Sequence, residues 1–265
     1  MKILAIGDPH GDLEKIKKIP IRNVDLILLT GDLGKADLAR KKFFENVERK
    51  QKSLPKKEYT KKEIKEVYDE VYDSSINILK YLSTFAPVYT ILGNVGSSDA
   101  ETRKDEKKYK IKLHYLISGI NNLENVSLIK NGLRNINGLR IGFLEYFVDT
   151  SWIKEFQEKD KLIINKAKKE SDNAKRVLKS FRNLDILLCH QPPYGFLDKV
   201  TSRYNPPKSW IGKHAGSKLI LDYVRKYRPR YVLCGHIHEG EGKKKIGKIE
   251  IYNLGVAGHV LINID

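Results

Sequence analysis

The stretch Tyr231-Val232-Leu233-Cys234-Gly235-His236-Ile237-His238 decides how this chain reads. A short apolar run ends abruptly in a glycine and two histidines. Such a run fits a strand buried on both faces, as in a sheet covered by helices. The glycine permits a tight turn or a close backbone approach to an ion. The same pattern recurs elsewhere. Leu4-Ala5-Ile6 leads to Gly7-Asp8-Pro9-His10, and Ile27-Leu28-Leu29-Thr30 leads to Gly31-Asp32. Tyr89-Thr90-Ile91-Leu92 leads to Gly93-Asn94, and Ile186-Leu187-Leu188-Cys189 leads to His190. Active groups of open α/β sheets gather outside the carboxyl ends of strands. Five strand ends carrying Asp, His or Asn therefore predict one shared site.

The residue types suggest its chemistry. Read as extended chain, the Asp8/His10 and His236/His238 pairs put both side chains on one side. Imidazole and carboxylate together suit Mn, Fe, Zn, Ni or Co. A carboxylate is a natural bridge between ions, and two ions about 3.5–4 Å apart can clamp a phosphate and generate hydroxide at neutral pH. Alone, Asp8, Asp32 or Asn94 is an ordinary turn residue, and His190 before Gln191-Pro192-Pro193 is a loop-edge histidine. The metal reading rests on their coexistence.

The order D-x-H, G-D, G-N, H and G-H-x-H, over positions 8 to 238, resembles the calcineurin-like metallophosphoesterase superfamily. The resemblance implies an α/β fold, a four-layered α/β/β/α sandwich of two mixed sheets. It also implies two divalent transition metal ions. Asp8, His10 and His238 would bind one; Asn94, His190 and His236 would bind the other; Asp32 would bridge both with a water or hydroxide. That hydroxide would attack phosphorus in line with the departing alkoxide, and Asn94 would also touch a phosphate oxygen. Many members follow Gly-Asn with a histidine that protonates the leaving group. Here Val95 stands at that position. General-acid help is worth about 10²–10⁴-fold, so valine leaves a gap. His214, in His214-Ala215-Gly216-Ser217 before a predicted helix, is the expected substitute. The alternative makes it a surface histidine beside a capping Ser217.

The expected function is hydrolysis of a phosphate ester, a phosphodiester before a phosphomonoester. Two other readings stay open: a nuclease-like enzyme using the basic surface, or a non-catalytic scaffold that keeps the fold and metals.

The rest of the chain sets bounds. Its 265 residues predict a single domain over 1–265. No run is long and apolar enough for a membrane span. Met1 to Gly7 reads as a buried strand, too short for a secretory signal, so a cytoplasmic protein is expected. Cys189 and Cys234 sit in apolar runs and read as buried hydrophobes, not a disulfide framework. The net charge is +17, which attracts polyanions. Its source is 38 Lys against 12 Arg, with 3 Gln and 1 Met. That bias resembles a heat-adapted surface, which is favoured over a nucleic-acid face built on Arg. Helices are predicted over Ala36–Gln51, Glu63–Phe85, Trp152–Phe181 (long, charged and open to a break) and Ser217–Tyr227. Two-sided strands are predicted over Gly138–Glu145, Lys248–Asn253 and His259–Asp265, with turns at Asn137-Gly138 and Ala257-Gly258. His114 and His259 are expected to have structural roles. Gln191 to Lys213 reads as a Pro- and aromatic-rich loop over the site.

Overall fold

Alternate residues of the buried strands face two different cores, and this divides the protein into layers. In β1 (Lys2–Ile6) and β2 (Leu26–Leu29), Leu4, Ile6, Ile27 and Leu29 pack with Ile16, Ile78, Leu79, Leu82 and Ile120. The intervening Ile3, Ala5, Leu26 and Leu28 pack with Ile141, Phe143, Ile186, Leu188 and Leu233. Successive side chains of a strand point to opposite faces, so one sheet touches helices on one side and a second sheet on the other. The protein, a computed structural model, is described over residues 1–156, 161–204 and 206–264.

The first sheet has the order β11-β1-β2-β3-β4, with β3 at Val88–Thr90, β4 at Val126–Leu128 and β11 at His259–Asn263. Strands β1 to β4 are parallel, and β11 closes the edge antiparallel to β1. Helices α1 (Leu13–Lys17), α3 (Lys61–Ser83) and α5 (Leu116–Asn121) supply side chains to the core on its outer face. Helix α2 (Asp37–Gln51) lies further out and fully buries none of its residues. Helix α4 (Asp99–Tyr109) begins in a capping box at Ser98 and Glu101.

The second sheet has the order β5-β6-β7-β8-β10-β9, from β5 (Asn131–Ile136), β6 (Leu139–Leu144), β7 (Ile186–Cys189), β8 (Tyr231–Cys234), β9 (Gly242–Ile246) and β10 (Ile249–Asn253). Its four central strands are parallel and its edges antiparallel. Helices α7 (Lys161–Ser180) and α8 (Lys218–Tyr227) cover it through Ala174, Leu178, Ile220, Tyr223 and Val224. The result is the α/β/β/α sandwich of two mixed sheets that the resemblance implies.

Prediction and structure differ where strands are short or polar. The sequence reading omits β4, β5 and β9. The last reads Gly-Lys-Lys-Lys-Ile and is an edge whose lysines face water, so it carries no apolar alternation. The predicted helix Trp152–Phe181 corresponds to α6 (Thr150–Phe156) and α7. Residues 157–160 between them, Asn205 in the predicted loop and Asp265 at the end of the last predicted strand lie outside the described residues. Cys189 and Cys234 are free and buried. Burial pushes both thiols up, which keeps them protonated.

Candidate metal centre

The parallel strands of both sheets end at one place. Asp8 follows β1, Asp32 follows β2, Asn94 lies beyond β3, His190 follows β7, and His236 and His238 follow β8. Asp8 and His190 are fully buried and Asp32 nearly so. Asp8, His10 and His238 form one group whose donor atoms all lie within 4.8 Å of one another, and Asp8, Asp32 and His190 form a second. Asp8 belongs to both. Asp32 Oδ2 also lies between the groups, 3.7 Å from His10 Nε2 and 3.6 Å from His190 Nε2.

The turns that achieve this are not extended. His10, Asp32 and His236 have φ of 45°, 42° and 66°. The expectation that alternation along an extended chain pairs Asp8 with His10, and His236 with His238, is therefore wrong. Left-handed residues swing the side chains inward, a conformation that Asp and His tolerate better than most but that still costs energy.

Glycines leave room for the polar groups. A Cβ on Gly235 would lie 2.2 Å from Asp8 Oδ1, and one on Gly93 would lie 2.1 Å from Asp32 Oδ1. A Cβ on Gly31 would lie 2.9 Å from His190 Nδ1. Each of these motif glycines is thus the wall against which a candidate ligand rests.

Hydrogen bonds lock the donors. Asp8 Oδ1 accepts from the Thr30 hydroxyl at 2.6 Å, and Asp8 Oδ2 accepts from the His236 backbone N–H at 2.5 Å. Asp32 Oδ1 accepts from the Val95 N–H at 2.7 Å. His190 Nδ1 lies 2.9 Å from the Thr30 carbonyl, which can only accept, so that nitrogen carries the proton. In its neutral form the ring then turns an Nε2 lone pair toward Asn94 Oδ1 at 2.9 Å and Asp32 Oδ2 at 3.6 Å. Three acceptors converge there. Opposite them, His10 Nε2 and His238 Nε2 face each other at 3.1 Å.

This donor set fits a cation. Burial alone would raise the Asp8 carboxyl, but His190, His238 and His10 outweigh it and hold the group well below the usual carboxylate range. Burial pushes His236 well below the ordinary histidine value, and the neighbouring His190 adds to that. Burial likewise lowers His10, against the pull of Asp32 and Asp8. Ionised carboxylate and neutral imidazole are the forms that ligate metal.

His236 contributes its backbone to Asp8 and its ring packs 4.9 Å from His190. His214 stands apart. Its Nδ1 is 2.7 Å from Asp198 Oδ1 and its ring 5.5 Å from Tyr194. Among the described residues, no hydrogen bond or ring contact joins it to the seven ligand candidates. Asp198 is buried, and its other oxygen accepts from the N–H groups of Gly195 and Gly216, each at 2.9 Å. The loop carrying this pair is tied to the histidine turn by Asn253 Nδ2, which donates to the carbonyls of Leu197 and Ile237. Tyr204 of the same loop lies 5.6 Å from His238. Ser217 caps α8, the role that the alternative reading of the His214 segment gives it. His114 is half-exposed rather than packed away, stacked on Tyr72 and 3.2 Å from Asp69.

Sequence reading missed Thr30, Asp198 and Tyr146. Tyr146 lies 5.3 Å from His236 and 5.8 Å from His190. It follows β6, a parallel strand, so the strand-end rule covered it; the signal went unread because β6 looked like a two-sided strand. Burial, helped by Glu170 and Asp32, pushes its phenol up to about 12, so it stays a hydrogen-bond donor at neutral pH.

The comparisons agree with this geometry. The calcineurin-like phosphoesterase family model matches residues 1–240. Over 74 residues the chain is 39% identical to metallophosphoesterase domain-containing protein 1 of Homo sapiens and of Mus musculus. That stretch is 28% of this chain and 20% of each relative, so the match spans about a fifth of their length. A solved phosphopantetheinyl hydrolase from Mycobacterium tuberculosis superposes with a TM-score of 0.56 at 13% identity, covering 97% of this chain and 89% of its own. Another crystal structure reaches 0.61, also at 13% identity, covering 98% and 94%. At that identity the likeness speaks for the fold. Among the described residues no helix is long and apolar enough to cross a membrane. With the match running from the first strand through the histidine turn, the chain belongs to the calcineurin-like phosphoesterase family, whose members use divalent metals to act on phosphate esters.

Proposed function

We propose that the chain is a single-domain, cytoplasmic phosphodiesterase that works with two divalent transition metal ions. The observation that carries this reading is the pair of donor groups sharing buried Asp8. Asp8, His10 and His238 would hold one ion, and Asn94, His190 and His236 the other, with Asp32 between them. When bound, such a pair supplies charge neutralisation on the phosphate and a water acidic enough to be a nucleophile near pH 7.

The chain's own residues do the remaining work. Asn94 Oδ1, 2.9 Å from His190 Nε2, would face the second ion, which leaves its amide N–H group to donate to a phosphate oxygen. Tyr146 presents a neutral phenol beside His236 and His190. Asp198 fixes the His214 ring through Nδ1, so Nε2 is the atom free to meet an oxygen of the substrate phosphate. Val95 cannot donate, and a phosphodiester with a willing leaving group is therefore favoured over a monoester.

The test is a matrix of Mn, Ni, Co, Fe and Zn against an aryl phosphomonoester, an aryl phosphodiester, cyclic nucleotides and single-stranded DNA. Diester turnover that needs metal and disappears in both Asp32→Asn and His236→Ala supports the reading. Unchanged turnover in both variants defeats it.

A further inference from the structure

A cavity of about 720 Å³ opens beside the centre, between α2, α3 and α4. The segment Asn94-Val95-Gly96 lines it on the side of the centre, and its walls include Phe43, Phe44, Tyr68, Tyr72 and Leu116. Pockets of about 300–1,000 Å³ lined by aromatic and aliphatic groups take drug-sized organic ligands. The cavity and the candidate centre share Asn94, which touches His190, and Val95, whose N–H holds Asp32. An ester arm on a phosphorus atom at the centre would have this cavity within reach.

The lining chooses the arm. Tyr68 donates to Asp105 at 2.7 Å, and His114 Nδ1 is occupied by Asp69 at 3.2 Å. Arg40, Ser97 and Thr102 also reach the lining, and most of the remainder is aromatic or aliphatic. Phe43 and Phe44 on α2 are 64% and 56% exposed, and no residue of that helix is fully buried. The helix has apolar side chains over the cavity without a core to receive them.

We infer that this cavity receives the departing alcohol of the phosphodiester, and that this alcohol is aromatic, a phenol-type group with one or two rings. The inference rests on the phosphodiesterase reading above. Hydrolysis forms a phosphorus–oxygen bond to water and breaks the one to the aryl oxygen. The aryloxide leaves with the bonding electron pair, and the proton from water passes to solvent. A phenol, of pKa about 10, departs as its anion. An aliphatic alcohol, much closer to water at about 15.7, needs a proton at that moment, and the side chains of Val95 and Gly96, which line the cavity beside the centre, have none to give.

Two measurements test this. The first is 2-naphthol binding to the metal-free protein, followed by fluorescence, in the wild type, in Ala39→Trp (which fills the cavity from α2) and in Phe44→Ala. The second is kcat/KM with Mn for methyl 2-naphthyl, methyl phenyl and methyl benzyl phosphate. Saturable naphthol binding is expected, weakened about tenfold or more by Ala39→Trp and several-fold by Phe44→Ala. The naphthyl ester should exceed the phenyl ester about tenfold in kcat/KM, a preference that Ala39→Trp removes. The benzyl ester, which has the ring but an aliphatic oxygen, should compete without being cleaved. Turnover and naphthol binding indifferent to both variants overturn the cavity assignment alone. Benzyl cleavage as fast as naphthyl cleavage overturns the aryl requirement. Naphthol binding without turnover of any ester overturns the phosphodiesterase reading, and the leaving-group role falls with it. Failure to bind naphthol, with self-association abolished by Phe43→Ser and Phe44→Ser, gives the surface to a second copy of this chain instead.

Discussion

Gly235→Ala adds one methyl group, and the structure predicts a large effect from it. The new Cβ would sit 2.2 Å from Asp8 Oδ1 and 2.5 Å from Asp8 Cγ and Oδ2. Gly235 does not occupy the left-handed region, so alanine incurs no backbone strain and the contact is the whole perturbation. Asp8 cannot swing aside freely, because it is fully buried and both oxygens are held, one by the Thr30 hydroxyl and one by the His236 N–H. Overpacking costs about 1–3 kcal/mol, and displacing the carboxylate loses hydrogen bonds to a charged group worth about 1.5–3 kcal/mol each. With one of the two bonds lost, the total is about 3–6 kcal/mol, or a fall in Tm on the order of 10 °C. Metal affinity should fall at least about 100-fold, since even changes behind a ligand cost 10–100-fold. Mn titration by calorimetry and thermal melting with and without EDTA measure the two effects. Gly247→Ala is the control. Its φ is +59° with nothing within 4 Å of the added carbon, so it should cost about 1–2 kcal/mol and leave metal binding alone. Wild-type Mn affinity in Gly235→Ala would refute the reasoning that this glycine makes room for a metal ligand.

Three further outcomes are expected. His214→Ala should lower kcat/KM for aryl diesters by about tenfold, the worth of one hydrogen bond to a charged oxygen, while metal content, read by mass spectrometry, stays at the wild-type level; normal kinetics would take His214 out of the reaction. Val95→His should raise kcat for alkyl esters relative to aryl esters by about tenfold or more, and an unchanged ratio would mean that the leaving oxygen is not near position 95. Burial raises Glu145, beside Asn131 and Lys130, to about 7. The native state therefore holds a proton there that the unfolded chain has lost above its ordinary 4.5, and stability falls as pH rises from that value through about 7. Discounted for the water that reaches the group, the penalty above pH 7 is about 1–2 kcal/mol. Glu145→Gln should gain about 3–6 °C in Tm at pH 8 and nothing at pH 4.5; equal gains at both would deny the cause.

The strand-and-helix layering was legible because buried parallel strands write themselves as unbroken apolar runs, as in Leu26–Leu29 and Tyr231–Cys234. The candidate ligands were legible because each run stops at a polar residue. The manner of their convergence was not. It depends on positive φ at His10, Asp32 and His236, and the backbone state of such a residue is settled by packing that no local pattern encodes. Three edge strands, β4, β5 and β9, were hidden because they are short or polar and alternation fades, as in Gly242–Ile246. Asp198 was hidden because its use comes from Gly195, Gly216 and His214, two of them far along the chain.

The central claim is that Asp32 sits between two cations, one of them held by Asp8. Crystals grown with Mn and measured at the Mn absorption edge test it directly. The account predicts two anomalous peaks, about 3.5–4 Å apart, one within ligand distance of His10 and His238 and the other of His190 and Asn94. A map without peaks among these side chains, or with Mn bound only elsewhere on the surface, would contradict it.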